Sequence, residues 1–335
     1  MNRVLEQIII KKREDLREKK KKISLEKLKE GVKGLWNEKY SGMRFFDSLF
    51  APVKQASSCT SSILLVAQND IAVIAEVKFA SPSMEDIDLS IRPHPDTLPR
   101  SGRGQALKGE ENELSIFDMS KDLVKRVKEY ESAGAEAISI ITEQHFFKGD
   151  PSFVTIVKNA VALPILQKDF VIDEYQIYEA RLRPDFAEVT SGRQGFGGQA
   201  CGADALLLIA RIVDKKTLRH FVDVCFEEGI EPVVEIFSEE DLEKAAATKT
   251  RFVAVNSRDL DTFEVDVEKA CELMKKIPER FIRLGFSGIQ SAVEVQNYKN
   301  AGAKGVLVGT ALMRTKKIDD FILSLRGGTT KQSGT

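Results

Sequence analysis

From residue 71 onward, short runs of Val, Ile and Leu alternate with longer stretches whose apolar residues recur every three or four positions. This alternation predicts repeated strand–helix units feeding a parallel sheet, whose strands are buried on both faces and therefore read as nearly unbroken apolar runs. Eight runs are present: residues 71–78 (IAVIAEVK), 137–143 (AISIITE), 164–170 (PILQKDF), 205–210 (ALLLIA), 232–237 (PVVEIF), 252–257 (FVAVNS), 281–287 (FIRLGFS) and 305–309 (GVLVG). Eight is the number that closes a barrel, so the expected class is α/β, a (β/α)8 TIM barrel. Five of the seven intervals between runs are near 20 to 30 residues, about what one strand–helix unit occupies.

The two longer intervals hold segments at about 91–111 and 182–199 that are rich in Gly, Pro, Arg and polar residues and lack apolar periodicity. They read as low-complexity insertions. The first carries Arg92-Pro93, Asp96 and Ser101-Gly102-Arg103-Gly104-Gln105-Ala106; the second carries Arg183-Pro184-Asp185, Ser191-Gly192-Arg193 and Gly198-Gln199-Ala200. A shared pattern at two unrelated barrel positions suggests copies of one inserted element, with two independent Gly-rich loops that agree by chance as the alternative. Residues 1–70 form an N-terminal helical extension, in which 5–29 is a strongly charged helix and 57–62 a connection into the first strand. The basic run Lys19 to Lys22 is expected on a solvated helix face, with an RNA-binding arm as the alternative. The expected organisation is one barrel domain over 1–326 and a disordered tail over 327–335.

Composition narrows the class. The 335 residues are 42% hydrophobic and 30% charged, which excludes disorder, collagen and a disulfide scaffold. A formal net charge of -1 gives no global field for nucleic acid or an anionic membrane, so neither partner is expected. Cys59, Cys201, Cys225 and Cys271, like His94, His145 and His220, are scattered without metal spacing, so no metal site is expected. No apolar stretch approaches the roughly 20 residues of a membrane helix, and the reading is a reduced, cytoplasmic protein.

The chemistry of a β/α barrel sits at the carboxyl ends of its strands. Here those ends hold Glu76 and Lys78, Lys168 and Asp169, Glu235, Asn256 followed by Arg258, and Ser287. Burying such a ring is costly unless the charges pair, which points to function. Glu76 and Lys78 are two apart on one strand and project to the same face; taken alone they fit a structural salt bridge equally well. Ser287-Gly288 after run seven and Gly309-Thr310 after run eight suit a phosphate site, where glycines let backbone N–H groups approach an anion.

At these residues the chain resembles the indole-3-glycerol phosphate synthase family: 76–83 reads EVKFASPS, 163–178 LPILQKDFVIDEYQIY, 256–260 NSRDL and 306–314 VLVGTALMR. The resemblance implies that 1-(2-carboxyphenylamino)-1-deoxyribulose 5-phosphate, a phosphorylated small molecule, is closed to an indole with loss of carbon dioxide and water. No redox cofactor or metal is then expected, and association with other tryptophan-pathway enzymes is left open. Carried over, Lys168 is the ring-closure acid, Lys78 contacts the substrate carboxylate, and Glu76 and Glu235 assist dehydration and hold the charges. Asn256 and Arg258 orient polar groups, and Ser287 completes the catalytic set. Ser81, Gly288, Gly309 and Thr310 bind phosphate, while Phe147, Phe170 and Leu260 wall the aromatic ring or serve as ordinary barrel core.

Two departures stand out. Where the family usually has Glu-Ser-Gly, this chain has Phe286-Ser287-Gly288, so a carboxylate is missing; and Met84-Glu85-Asp86 stands where a basic residue and Gly are common. They motivate a competing reading, a catalytically impaired barrel that serves as a phosphate-ligand binding or interaction module. Phosphoribosylanthranilate isomerase is a further alternative, weakened because no cysteine ends the first strand.

Overall fold

The computed structural model describes residues 3–33, 45, 49, 71–80, 116–182 and 202–327. Eight parallel strands close into a barrel in sequence order, the first pairing with the last. They are β1 (Ala72–Val77), β2 (Ala137–Ile141), β3 (Ile165–Lys168), β4 (Ala205–Ile209), β5 (Glu231–Ile236), β6 (Phe252–Asn256), β7 (Ile282–Phe286) and β8 (Gly305–Val308). Each lies within two residues of a run expected from the sequence. Helices α3 (Ile116–Ser132), α4 (Ser152–Ala160), α5 (Tyr175–Arg181), α6 (Lys215–Glu227), α7 (Glu239–Ala246), α8 (Val267–Lys275) and α9 (Ala292–Asn300) alternate with the strands; α10 (Thr310–Arg314) and α11 (Ile318–Leu325) follow β8. Local chemistry sets where several helices begin. Ser238 with Asp241 and Ser291 with Glu294 form capping boxes that satisfy the first N–H groups of α7 and α9.

Strand alternation divides the apolar residues into two cores. One fills the barrel with residues such as Ile74, Leu166, Leu207, Val233, Phe252, Leu284 and Phe286. The other lies between sheet and helices and includes Val73, Ala75, Val77, Ile138, Val234, Val253 and Val306. Phe45 meets Phe252 edge-on at 5.4 Å, packing against the amino-terminal end of the interior.

The charged N-terminal segment is two helices, α1 (Arg3–Lys22) and α2 (Leu25–Lys33), instead of one. Ser24 causes the break: its Oγ accepts from Lys27 N at 3.3 Å, starting a second helix with a new cap. The basic run is only partly a solvated face. Lys19 pairs with Glu179 at 3.0 Å and Lys20 with Asp173 at 2.6 Å, so two of its lysines fasten α1 to the barrel. No described helix is long and apolar enough to cross a membrane.

The first insertion, the connection 57–62 and residues 328–335 lie outside the described residues, as does the second insertion apart from Leu182. Leu182 is buried, and its N–H caps α5 by donating to Tyr178 O at 3.0 Å. Beyond the insertion, Ala203 N donates to Ala180 O at 2.9 Å, so the chain leaves and re-enters the fold at one place. Deleting residues 183–199 is therefore expected to keep turnover within about two-fold of the parent and to leave the thermal midpoint no lower. Failure of that variant to refold, followed by circular dichroism, would show the segment to be structural.

Candidate active site

Glu76 shares the inward face of β1 with Ala72 and Ile74, and Lys78 follows at the same parity. Lys168 ends β3, Glu235 is the penultimate residue of β5, Asn256 ends β6 and Phe286 ends β7. Topology thus brings residues separated by up to 210 positions to one rim of the barrel.

Glu76 is the hub. It is 3% exposed; its Oε2 accepts from Lys168 Nζ at 3.1 Å and its Oε1 lies 3.4 Å from Lys78 Nζ. One buried carboxylate therefore holds two ammonium groups. Burial pushes the Glu76 carboxyl up, but the charges of Lys168 and Lys78 outweigh it and hold the group below its ordinary value. Burial pulls Lys168 down, yet Glu76 and Glu235 reverse this and keep the ammonium raised. Lys78 is lowered, because its burial and the neighbouring cations Lys168 and Arg258 exceed the help it gets from Glu76. The two lysines, two residues of similar chemistry on one carboxylate, are thus driven in opposite directions.

Glu235 is also buried, and burial raises its carboxyl above the ordinary range despite Lys168 and the hydrogen bond from Asn256. Its Oε1 accepts from Asn256 Nδ2 at 3.1 Å, while its Oε2 has no partner among the described residues. Asn256 Oδ1 in turn accepts from Arg258 N at 3.0 Å, which fixes the amide orientation, and Arg258 Nη1 donates to Phe263 O at 2.9 Å. The site therefore offers one carboxylate kept ionised, one raised toward neutrality, and two lysines of different acidity. Proton transfer in both directions is within the reach of such a set.

The glycines behave as close-approach residues. A Cβ on Gly309 would lie 2.5 Å from Glu76 Oε1, and one on Gly288 would lie 2.6 Å from Val267 Cγ2. Ser287 and Gly288 have successive positive φ values of 66° and 74°, a left-handed backbone that glycine adopts readily. Among the described residues the Gly288 N–H has no hydrogen bond, whereas the register of Phe286 with Leu307 sets the Ser287 N–H toward β8. Ser287, expected in the catalytic set, adjoins Gly288 at the end of β7, and no hydrogen bond among the described residues joins it to Glu76 or Lys168. Thr310 begins α10 directly after Gly309.

Phe147 and Phe170 face each other at 6.2 Å, and both Phe147 and Leu260 pack against the interior cluster that contains Phe170. The loop carrying Phe147 is organised by a residue to which the sequence assigned no role. Glu143 is fully buried; its Oε2 accepts from Phe146 N at 2.7 Å and Phe147 N at 3.0 Å, and its Oε1 from His145 N at 3.1 Å. Asp169 turns away from the rim. It pairs with Lys12 of α1 at 2.6 Å and accepts from Thr142 Oγ1 at 2.9 Å, so it anchors the N-terminal extension beside Lys168. Phe286 is fully buried with its ring centroid 5.3 Å from Lys168 Nζ, a cation–π contact opposite the Glu76 pair. Ser81, residues 84–86 and the rest of the strand-one loop lie outside the described residues.

A cavity of about 400 Å³ lies away from this rim, outside the sheet between α1–α2 and the wall of β3 and α5, among Lys12, Leu16, Gln167 and Tyr175. Among the described residues no three His, Cys, Asp or Glu side chains are grouped to hold a metal ion.

Comparison with known proteins agrees with this geometry. A family model described as indole-3-glycerol phosphate synthase matches residues 114–186 and 190–325. An indole-3-glycerol phosphate synthase of Caldanaerobacter subterraneus subsp. tengcongensis is 35% identical over 260 residues, covering 77% of this chain and 82% of the relative. One from Rhodopirellula baltica is 34% identical over 258 residues, covering 76% and 80%. One from Bacillus cereus is 33% identical over 289 residues, covering 85% and 93%.

Proposed function

The chain belongs to the indole-3-glycerol phosphate synthase family, and from that premise we propose that the buried Lys168–Glu76–Lys78 cluster carries its reaction. The enzyme is a carbon–carbon lyase of tryptophan biosynthesis that closes 1-(2-carboxyphenylamino)-1-deoxyribulose 5-phosphate to indole-3-glycerol phosphate. Carbon dioxide and water are lost. The observation that carries the residue assignment is that one buried carboxylate, Glu76, holds both lysines at the mouth of the barrel.

In this reading Lys168, kept protonated, gives its proton to the ketone oxygen as the aromatic carbon bearing the carboxylate attacks the ketone carbon. That step forms the new carbon–carbon bond. The carbon–carboxylate bond then breaks, its electron pair restores the aromatic ring, and carbon dioxide departs. Lys78 meets the substrate carboxylate before it leaves. In the dehydration that follows, the new hydroxyl takes a proton from the Lys78 ammonium and leaves as water, driven by the ring nitrogen, and a carboxylate removes one of the two protons on the adjacent carbon. Glu235, with one oxygen unengaged and a raised carboxyl, is suited to that proton. Phe147, Phe170 and Leu260 flank the aromatic ring, Asn256 and Arg258 orient its polar groups, and Ser81, Ser287, Gly288, Gly309 and Thr310 take the phosphate.

The opposed pKa shifts give a pH test. Catalysis needing ionised Glu235 rises as pH passes upward through a raised carboxyl value; catalysis needing protonated Lys78 falls as pH passes upward through a lowered amine value. The kcat profile is expected to be a bell narrower than ordinary Glu and Lys values would set, with the acid limb missing in Glu235→Gln. An acid limb unchanged in that variant would assign it to another group. Turnover itself is read by the fluorescence of the indole product.

A further inference from the structure

We infer that Tyr298, on α9 outside the barrel, is a positioning residue whose hydroxyl aims the Gly288 N–H group at the substrate phosphate. The inference deepens the phosphate reading above and rests on it. Tyr298 is fully buried, and its hydroxyl is shared between Phe286 O and Ser287 O, at 3.3 Å from each. These carbonyls are the other halves of the two peptide groups that carry the Ser287 and Gly288 N–H. In a planar trans peptide the C=O and N–H point in opposite directions. Phe286 O already faces Ser257 N on the β6 side, which turns the Ser287 N–H toward β8, whereas drawing Ser287 O to the Tyr298 hydroxyl turns the Gly288 N–H away from the helix layer, where it has no hydrogen bond among the described residues.

The strand is shaped to admit the ring. A Cβ on Gly285 would lie 2.5 Å from Tyr298 Cδ1 and 2.7 Å from Cγ, so only glycine at that position lets the phenol pass beneath the end of β7. Phe286 O has a second donor, Ser257 N at 3.0 Å, whereas Tyr298 supplies the donor to Ser287 O. The peptide between Ser287 and Gly288 is thus the one that depends on the hydroxyl, and its N–H belongs to the residue at φ 74°. A hydroxyl that merely stabilised the fold would lower the melting temperature without selecting one part of the substrate. A hydroxyl that orients the turn acts on phosphate affinity and leaves the hydrogen bonds of the charge cluster in place.

The test uses the full chain, its substrate and inorganic phosphate as a competing ligand. Tyr298→Phe keeps the ring in place and removes only the hydroxyl. It is expected to raise KM and the phosphate inhibition constant together, by about three- to ten-fold, with kcat within about two-fold of the parent. Gly285→Ala/Tyr298→Leu removes the ring that a Cβ at 285 would strike and should show the same paired rise. An unchanged phosphate constant in both folded variants, with KM at the parental value, would overturn the role of Tyr298. If phosphate does not compete even in the parent, the assignment of Ser287 and Gly288 to phosphate fails first and the inference falls with it. A fall in kcat with phosphate affinity unaltered would also overturn it, since that is the signature of a disturbed charge cluster.

Discussion

Replacing Lys168 by Ala is expected to lower kcat by about 10²- to 10⁴-fold, the usual contribution of one placed general acid, while the barrel stays folded. The geometry explains both halves of the result. Lys168 gives Glu76 its direct hydrogen bond at 3.1 Å, and within the cluster it is the amine whose surroundings keep it charged. Removing it leaves Lys78, whose pKa is lowered, as the remaining lysine on Glu76. Glu76 keeps Lys78 at 3.4 Å, so the buried carboxylate is not abandoned, and the stability loss should stay nearer about 1–3 kcal/mol than the larger penalty of a fully unpaired buried charge. The loss depends on pH in a definite direction. Glu76 has a folded pKa below its unfolded value, so its contribution is present above the unfolded carboxylate pKa and disappears as pH falls through the folded one. In the variant the Glu76 value moves up and that acid-side contribution shrinks. Lys168→Met, which keeps most of the side-chain volume, separates the missing proton from a missing contact. Turnover near the parental rate in both variants, followed by product fluorescence, would remove Lys168 from the role of acid.

What the sequence made visible follows from periodicity. Glu76 and Lys78 were placed on one face by a spacing of two, and Lys168, Glu235 and Asn256 by lying at the ends of apolar runs; a closed barrel then leaves those ends nowhere to go but one rim. The same rule misplaced Asp169, whose odd parity on β3 sends it outward to Lys12. Residues that act through the backbone were silent. Glu143 looked like the tail of an apolar run, because nothing in a linear pattern says that three N–H groups of the next loop fold back onto its carboxylate. Tyr298 belongs to no motif, and Gly285 lies within an apolar run where nothing in the linear pattern shows that a ring fills the place of its side chain. The division of the N-terminal segment was legible in principle at Ser24, a good helix cap, but charge periodicity continues through it and hides the boundary.

Phe286→Glu is expected to raise kcat/KM by about ten-fold or more and to lower stability by about 2–4 kcal/mol. The two effects have one origin. The phenyl ring is fully buried at the end of β7, in register with Asn256 on β6 and 5.3 Å from the Lys168 ammonium. It packs well and attracts the cation through its face, but it accepts no proton and no strong hydrogen bond. Among the described residues Lys168 consequently has Glu76 as its direct carboxylate, and Glu235 divides its influence between Asn256 and an oxygen without a partner. A carboxylate at 286 adds an acceptor between Lys168 and Asn256, where substrate hydroxyls and the amine must be held in line, at the expense of buried apolar volume. Activity and stability then move in opposite directions, as they do when a working site is built into a well-packed core. Equal kcat/KM in parent and variant would mean that the aromatic face serves Lys168 as well as a carboxylate does. A loss of activity with substrate still bound would mean that the ring itself forms part of the wall against which the aromatic substrate closes, joining Phe286 to Phe147 and Phe170 rather than to the charged cluster.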